Sequence, residues 1–255
     1  MAADRHFLLD GCAQQDSFPK IRPGFCPGYL IRAFFSADEA LAGRAASAGQ
    51  QSRPMQLFYS SGSPYARAVR VALRETGLSA RVEERETTLR DPKAVVLPHS
   101  PVGRVPTLLL ADGTVLTETA LLLPYLDTLG GAYPLLPPAA LSHFGQVLGL
   151  LEGMAVWNRE LRRPPEERSP GVIALEITRV NRVADTLEAK GEAQGWVAPA
   201  RPDAADILLG CALGYAERRH RAWPWRDGRP VLARFFDTLA ERPSFRDTIP
   251  PLSGI

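Results

Sequence analysis

Residues 100–131 read "SPVGRVPTLLLADGTVLTETALLLPYLDTLGG", and this run decides the fold. "PTLLL" is a short apolar strand, Asp112-Gly113 is a two-residue hairpin turn, and "TVLT" is the returning strand. "ETALLLPYLDTLGG" then predicts a helix closed by Gly130 and Gly131, with Pro124 tolerated near its start. Upstream, "MQLFYS" from Met55 reads as a buried strand. After Ser63-Pro64 the apolar residues Ala68, Val69, Val71, Ala72 and Leu73 predict a helix that ends near Gly77, with Pro64 suited to a first helical position. "SARVEERET" alternates as a second strand, and Asp91 to Leu97 is a short segment with a helical reading. The order β-α-β-α-β-β-α predicts a small mixed sheet with helices on both faces.

Downstream the pattern changes. Tyr133 to Pro138 ("YPLLPP") is a linker, and everything after it is helical: Leu141 to Arg162, Val172 to Ala189, Asp206 to Arg219, and Val231 to Glu241 before "RPSF". The third of these is apolar nearly all round, which predicts a central, buried helix. Before Met55 no period of 2 or 3.6 is sustained. A targeting arm fits poorly there, because Asp4 and Asp10 stand where such segments are poor in acid. The expectation is an upstream extension with Met55 as the natural start, loosely ordered apart from a short helix near Ala37 to Ala48. The predicted organisation is therefore an extension over 1–54, an α/β domain over 55–133 and an all-helical domain over 139–255.

The chain has 255 residues, 45% of them hydrophobic, with 30 basic and 28 acidic side chains and a net charge of +2. That balance, without a Lys/Arg stripe, does not ask for nucleic acid. No apolar run reaches the roughly 20 residues of a membrane span. Cys12, Cys26 and Cys211 have no metal-ligand spacing; an odd count fits a reducing, cytoplasmic setting, with Cys211 a small buried apolar residue and no disulfide expected between Cys12 and Cys26.

Three short stretches carry candidate chemistry. Val105-Pro106 precedes a strand, where the bond is either an ordinary trans one or a cis turn that leaves main-chain groups free to pair with an extended peptide. Glu118-Thr119 opens a helix after a strand. Capping is the commoner use of such a pair, and binding a ligand's ammonium and carboxylate is the other. Ser60, Ser61 and Ser63 precede a helix, where they either cap it or present a hydroxyl to an anion. A thiol is only a few per cent ionised at neutral pH. Lowering its pKa by about two units takes roughly 2.7 kcal/mol, which one charge-assisted donor and a helix end together supply.

Taken together, "YSSGSPYARAVRVAL", the run over 100–127 and the helical second half resemble the cytosolic glutathione S-transferases, in particular bacterial-type members with a serine in the first loop. "RPDAADILLGCAL" is similar to that family's capping box, with Asp203 in place of the usual Ser or Thr and Asp206 three residues on; "LAERPSF" is likewise typical. The resemblance, over Met55 to Ile255, implies a thioredoxin-like first domain that binds glutathione as co-substrate. Ser63, with Ser61 as the alternative, would steady the thiolate. Arg104 would meet the glycyl carboxylate, Val105 would pair with the tripeptide main chain beside a cis Pro106, and Glu118 and Thr119 would hold the γ-glutamyl end. The helical domain would supply the pocket for a small-molecule electrophile from Trp157, Asn158 and Tyr215, with His220 and Trp223 nearby. "AERRHRAWPWRDGRP" is basic and aromatic, as a site for anionic co-substrates or as a solvated helix end. Tyr59 belongs to the strand and is not assigned the catalytic hydroxyl. His220 lacks an identifiable partner for a general base. The implied function is glutathione transfer in cytoplasmic detoxification, by a homodimer. A glutathione-dependent dehalogenase, isomerase or peroxidase, or a scaffold that only binds glutathione, are the alternatives on the same fold.

Overall fold

The computed structural model describes residues 54–252. The extension expected over 1–54 lies, apart from Pro54, outside the described residues, as do the helix expected near Ala37 to Ala48 and Cys12 and Cys26. The first half is a four-stranded sheet of β1 (Met55–Tyr59), β2 (Val82–Glu86), β3 (Thr107–Leu109) and β4 (Val115–Thr117) in the order β2-β1-β3-β4. β1 pairs parallel with β2, from Met55 opposite Val82 to Tyr59 opposite Glu86. It pairs antiparallel with β3, Leu57 opposite Leu108, and β3 pairs antiparallel with β4, Leu108 opposite Leu116.

Parallel neighbours need a crossover, and α1 (Pro64–Glu75) supplies it. Ser63 is its N-cap and Pro64 its first residue; at the far end the Thr76 hydroxyl donates to the Ala72 carbonyl at 2.7 Å and Gly77 turns the chain at φ 74°. α2 (Thr119–Thr128) follows β4. The helical half contains α3 (Leu141–Leu161), α4 (Pro170–Gln194), α5 (Ala204–Arg219), α6 (Pro230–Ala240) and α7 (Pro243–Arg246).

α1 contacts β1 and α2 on one side and α5 on the other. Being covered on two sides, it is built from small and β-branched residues: Ala66, Ala68, Val69, Val71 and Ala72 are all fully buried. Burial of each larger apolar side chain is worth about 1.5–3 kcal/mol. Two arginines are the exceptions in chemistry: Arg70, at 8% exposure, whose Nε donates to Glu84 Oε2 at 2.8 Å, and Arg67, at 5%. Its Nη2 donates to the Phe245 carbonyl at 3.1 Å and its Nε to Thr248 Oγ1 at 3.4 Å. α5 makes room for it at Gly214, where a Cβ would come within 2.5 Å of Arg67 Nη1. At the other end of α1, Glu75 accepts from Arg242 Nε at 2.8 Å and Nη2 at 2.6 Å, and from the Ser244 hydroxyl. Burial alone would raise the Glu75 pKa, but these donors outweigh it and hold the carboxyl below its usual value. Both ends of α1 are thus tied to the segment around α7.

α5 is central, as its all-round apolar pattern predicts: Ile207, Leu208, Leu209, Cys211 and Leu213 are fully buried. Burial pushes the Cys211 thiol up to about 11, so it behaves as an apolar residue. Other expectations shift at the edges. α4 is longer than Val172 to Ala189, because Ser169 caps it early and Gly195, at φ 62°, ends it late. Asp91 to Leu97 forms turns rather than a helix, with Ala94 and Val96 buried against Phe58. The first three residues of the predicted second strand make a 3-10 turn, Ser79–Arg81. The hairpin closes over three residues: the Gly113 N–H donates to the Leu110 carbonyl, and Gly113 takes the left-handed conformation at φ 89° that follows such a turn. Among the described residues no helix is long and apolar enough to cross a membrane.

The N-terminus of α5 carries two carboxylates in one capping box. Asp203 Oδ1 accepts from the Ala205 and Asp206 N–H groups at 2.8 and 3.0 Å, and Asp206 Oδ2 accepts from the Asp203 N–H at 3.0 Å. Burial and then the Asp203 charge push the Asp206 pKa up. A raised acid pKa adds stability at low pH that is lost as pH rises through the folded value. Asp203→Ser keeps the cap and removes the like charge. It is expected to raise the unfolding free energy by about 1 kcal/mol at pH 8, with the gain shrinking at pH 5, as read by denaturant melts at the two pH values. A loss of stability at both would show that the Asp203 charge on the helix dipole matters more than the repulsion.

Candidate functional site

A cavity of about 860 Å³ opens where the ends of β1, β2 and β4 meet the helical half. Its first wall is the serine loop. Ser60 and Ser63 line it, and the Ser63 N–H donates to the Ser60 carbonyl at 2.9 Å. Ser63 Oγ accepts from the Ala66 N–H at 3.2 Å, the capping bond expected of a residue before a helix. A hydroxyl that accepts in this way keeps its proton and a second lone pair. Capping and donation into the cavity are therefore compatible uses of one side chain. Ser61 lies off the wall, and its N–H donates to Glu86 Oε1 at 3.1 Å.

The second wall is Arg104, Val105 and Pro106. The Val105-Pro106 bond is cis, and the Thr107 hydroxyl donates to the Arg104 carbonyl at 2.7 Å, which fixes this loop to the start of β3. The third is Glu118, at the N-cap position of α2 with φ 67° and ψ 124°. This is a left-handed conformation in a residue with a Cβ, which costs on the order of 1–3 kcal/mol. Its side chain makes no cap bond, so capping is not its use here. Thr119 is 2% exposed and stands behind the wall, its hydroxyl donating to the Tyr65 carbonyl at 3.1 Å.

The helical half contributes residues other than those expected. Trp157, Asn158 and Tyr215 do not line this cavity. Trp157 is buried edge-on against His220, ring centroids 4.3 Å apart, and Asn158 Nδ2 donates to the Arg219 carbonyl at 2.7 Å, closing the end of α5. Tyr215 is 8% exposed within the α5 core. The side chains that do face the cavity are Glu152, Arg159, Arg162 and Arg219. Residues 152, 159 and 162 share one face of α3 and its C-cap by helical spacing, a signal that was present in the sequence. His220 is fully buried, with no hydrogen-bond partner at either ring nitrogen among the described residues, and burial and then the Arg162 charge push its pKa down to about 4. It is neutral at physiological pH and is no general base for this site. Trp223 is likewise buried, its indole N–H donating to Asn181 Oδ1 at 3.1 Å.

Tyr65, on α1, also lines the cavity and was not singled out in the sequence, although it follows Pro64 in the loop. Its hydroxyl donates to Glu152 Oε2 at 2.7 Å. Burial and that hydrogen bond hold the phenol protonated far above its ordinary range. Glu152 in turn meets Arg159 Nη2 at 3.4 Å. Burial lowers the Arg219 pKa, and the like charges of Arg162 and Arg90 lower it further. Among the described residues no cluster of His, Cys, Asp and Glu is arranged to hold a metal. The site thus offers hydroxyl and guanidinium donors, a carboxylate at Glu118 that makes no cap bond, and the turn at Val105 beside the cis bond, which suits an extended peptide-like ligand with both charges.

A family model described as "Glutathione S-transferase, N-terminal domain" matches residues 57–134, and one described as "Glutathione S-transferase, C-terminal domain" matches residues 170–238. The chain is 27% identical over 203 residues to the uncharacterized GST-like protein YibF of Escherichia coli strain K12, covering 77% of this chain and 99% of that protein. Among solved structures it is similar to a glutathione S-transferase from Methylobacillus flagellatus KT with glutathione bound, at 32% identity and a TM-score of 0.71 over 77% of this chain and 99% of the other. It is similar also to a glutathione transferase family member from Pseudomonas fluorescens Pf-5 with bound glutathione, at 32% identity and a TM-score of 0.70 over 78% and 100% of the two chains.

The strain at Glu118 has a direct test. Glu118→Gly relieves the left-handed backbone and is expected to raise the unfolding free energy by about 1 kcal/mol, after the entropy cost of glycine. A Tm that stays level or falls would show that the conformation carries no strain.

Proposed function

The chain belongs to the glutathione S-transferase family, and from there we propose that it is a glutathione transferase that ionises the bound thiol at Ser63 and passes the thiolate to a small electrophile. The observation that carries this reading is the double position of Ser63, which caps α1 and faces the cavity shared with Arg104, Val105 and Glu118. Arg104 takes the glycyl carboxylate of glutathione, the Val105 main chain pairs with the cysteinyl unit, and Glu118 accepts from the γ-glutamyl ammonium. The Thr119 hydroxyl is already engaged with Tyr65, so its contribution is its main-chain N–H in the first turn of α2.

Ser63 Oγ donates to the sulfur, and the positive end of α1 favours the anion. The thiol proton passes to solvent. The sulfur pair forms the bond to the electrophilic carbon, and the leaving group departs with the old bonding pair. The protein supplies position and ionisation rather than a covalent intermediate. Ser61 is a weaker candidate for this donor, since its main chain is turned to Glu86. Tyr65 is also disfavoured, because its proton is held by Glu152. The setting we infer from the same resemblance is a cytoplasmic homodimer acting in detoxification, which sedimentation would register as twice the chain mass.

The test is the ultraviolet titration of the thiolate in the glutathione complex. Wild type is expected to ionise the bound thiol about two units below the free value, and Ser63→Ala to return it by about one unit or more, with kcat/KM for an aryl halide falling roughly tenfold or more. The variant also loses a cap worth about 1 kcal/mol, so its melting temperature is measured alongside. Equal thiol titration in both proteins would remove Ser63 from the role.

A further inference from the structure

The cavity carries more positive charge than glutathione needs. Among the described residues five arginines line it: Arg90, Arg104, Arg159, Arg162 and Arg219. Three carboxylates of the described residues share this lining, and two of them are engaged. Glu86 accepts from the Ser61 N–H at 3.1 Å, Glu152 accepts from the Tyr65 hydroxyl and meets Arg159, and Glu118 is free for the ammonium of glutathione. Arg104 is assigned to a carboxylate of glutathione. Arg90 and Arg162 are exposed and, among the described residues, pair with no carboxylate. Arg219 is fixed beside them. Its Nη1 donates to the Pro251 carbonyl at 3.4 Å, and its guanidinium lies against the serine loop at Gly62, where a Cβ would come within 2.8 Å of Arg219 Cζ.

These three arginines come from separate parts of the chain. Arg90 is in the loop after β2, Arg162 is the C-cap of α3 and Arg219 is the last residue of α5. A helix C-terminus favours a cation, which accounts locally for Arg162 and Arg219 but not for Arg90, nor for the convergence of all three on one cavity. Arg90 and Arg162, gathered beside a third guanidinium with no carboxylate of their own among the described residues, cost free energy unless an anion joins them. Arg219 is also the one arginine of "AERRHRAWPWRDGRP" on this wall: Arg226 is paired with Glu217 and Asp237, away from it.

We propose that Arg90, Arg162 and Arg219 form an anion subsite on the electrophile side of the cavity, so that the electrophiles this protein favours carry a carboxylate near the reacting carbon. This rests on the glutathione-transferase reading of the cavity. The guanidinium groups orient the carboxylate by charge-assisted hydrogen bonds and leave the carbon facing the sulfur beside Ser63. With an aryl chloride, the sulfur pair forms the new C–S bond, chloride leaves with the C–Cl pair, and the thiol proton has already gone to water.

The test compares a chloronitrobenzoate anion with its neutral methyl ester, as the ratio of their kcat/KM values, in wild type, Arg162→Ala, Arg90→Ala and Arg162→Lys. Intrinsic reactivity cancels when the ratio is compared between proteins. The acid-to-ester ratio is expected to fall roughly tenfold or more in Arg162→Ala and by a smaller factor in Arg90→Ala, with partial recovery in Arg162→Lys. Glutathione affinity is measured calorimetrically on each protein. An unchanged ratio in both alanine variants, with glutathione still bound, overturns the subsite alone. Equal losses for both probes together with weakened glutathione binding also overturn it, because the arginines would then serve glutathione. Failure of wild type to bind glutathione overturns the transferase reading and the subsite with it.

Discussion

The buried guanidinium of Arg67 is the contact on which the arrangement turns. A charged group at 5% exposure costs free energy that its hydrogen bonds only partly offset: Nη2 and Nε reach Phe245 and Thr248 near the C-terminus, while Nη1 is buried with no hydrogen-bond partner among the described residues. Gly214 gives it passage through α5. α1 therefore has one position relative to the helical half, and with it the serine loop at its N-terminus. The Glu75–Arg242 pair fastens the opposite end of the same helix. With α1 set, its cap residue faces the cavity from one side while α3 and the end of α5 face it from the other.

The site departs from what stability alone would select. Glu118 holds a left-handed backbone that a glycine would adopt without strain, and its carboxylate is left without a cap bond. Five arginines line the cavity beside three glutamates among the described residues. Ser63, in contrast, serves stability as well, since its Oγ caps α1 while the residue lines the cavity. Strain and like charge kept at one cavity, while the core is closely filled, are what a site selected for binding rather than stability shows.

Much of the fold was legible because its signals are local. Strand–turn–strand–helix over 100–131 follows from apolar runs and Asp112-Gly113, and α5 from its all-round apolar pattern. The hairpin was misjudged by one residue because turn type depends on which residue takes the left-handed conformation, and only the register of β3 on β4 decides that. Asp91 to Leu97 has helical spacing, yet its apolar residues are used against Phe58 in a turn. In the site, Ser63, Arg104 to Pro106 and Glu118 were legible since each sits at an element boundary. The helical wall was not. Trp157 and Asn158 are large and polar residues on α3, but the face that meets the cavity is that of Glu152, Arg159 and Arg162, and helix rotation is set by packing against α5 and α4. Nor does any local pattern tell that Tyr65 reaches Glu152, 87 residues on.

The most direct measurement is a crystal structure of the full chain with glutathione bound. The sulfur is expected within hydrogen-bond distance of Ser63 Oγ, with the glycyl carboxylate at Arg104 and the ammonium at Glu118. A sulfur seated on Tyr65 or Ser61 instead, or a tripeptide lying outside the cavity between the serine loop and α3, would contradict the claim that the α1 cap residue is what holds the thiolate.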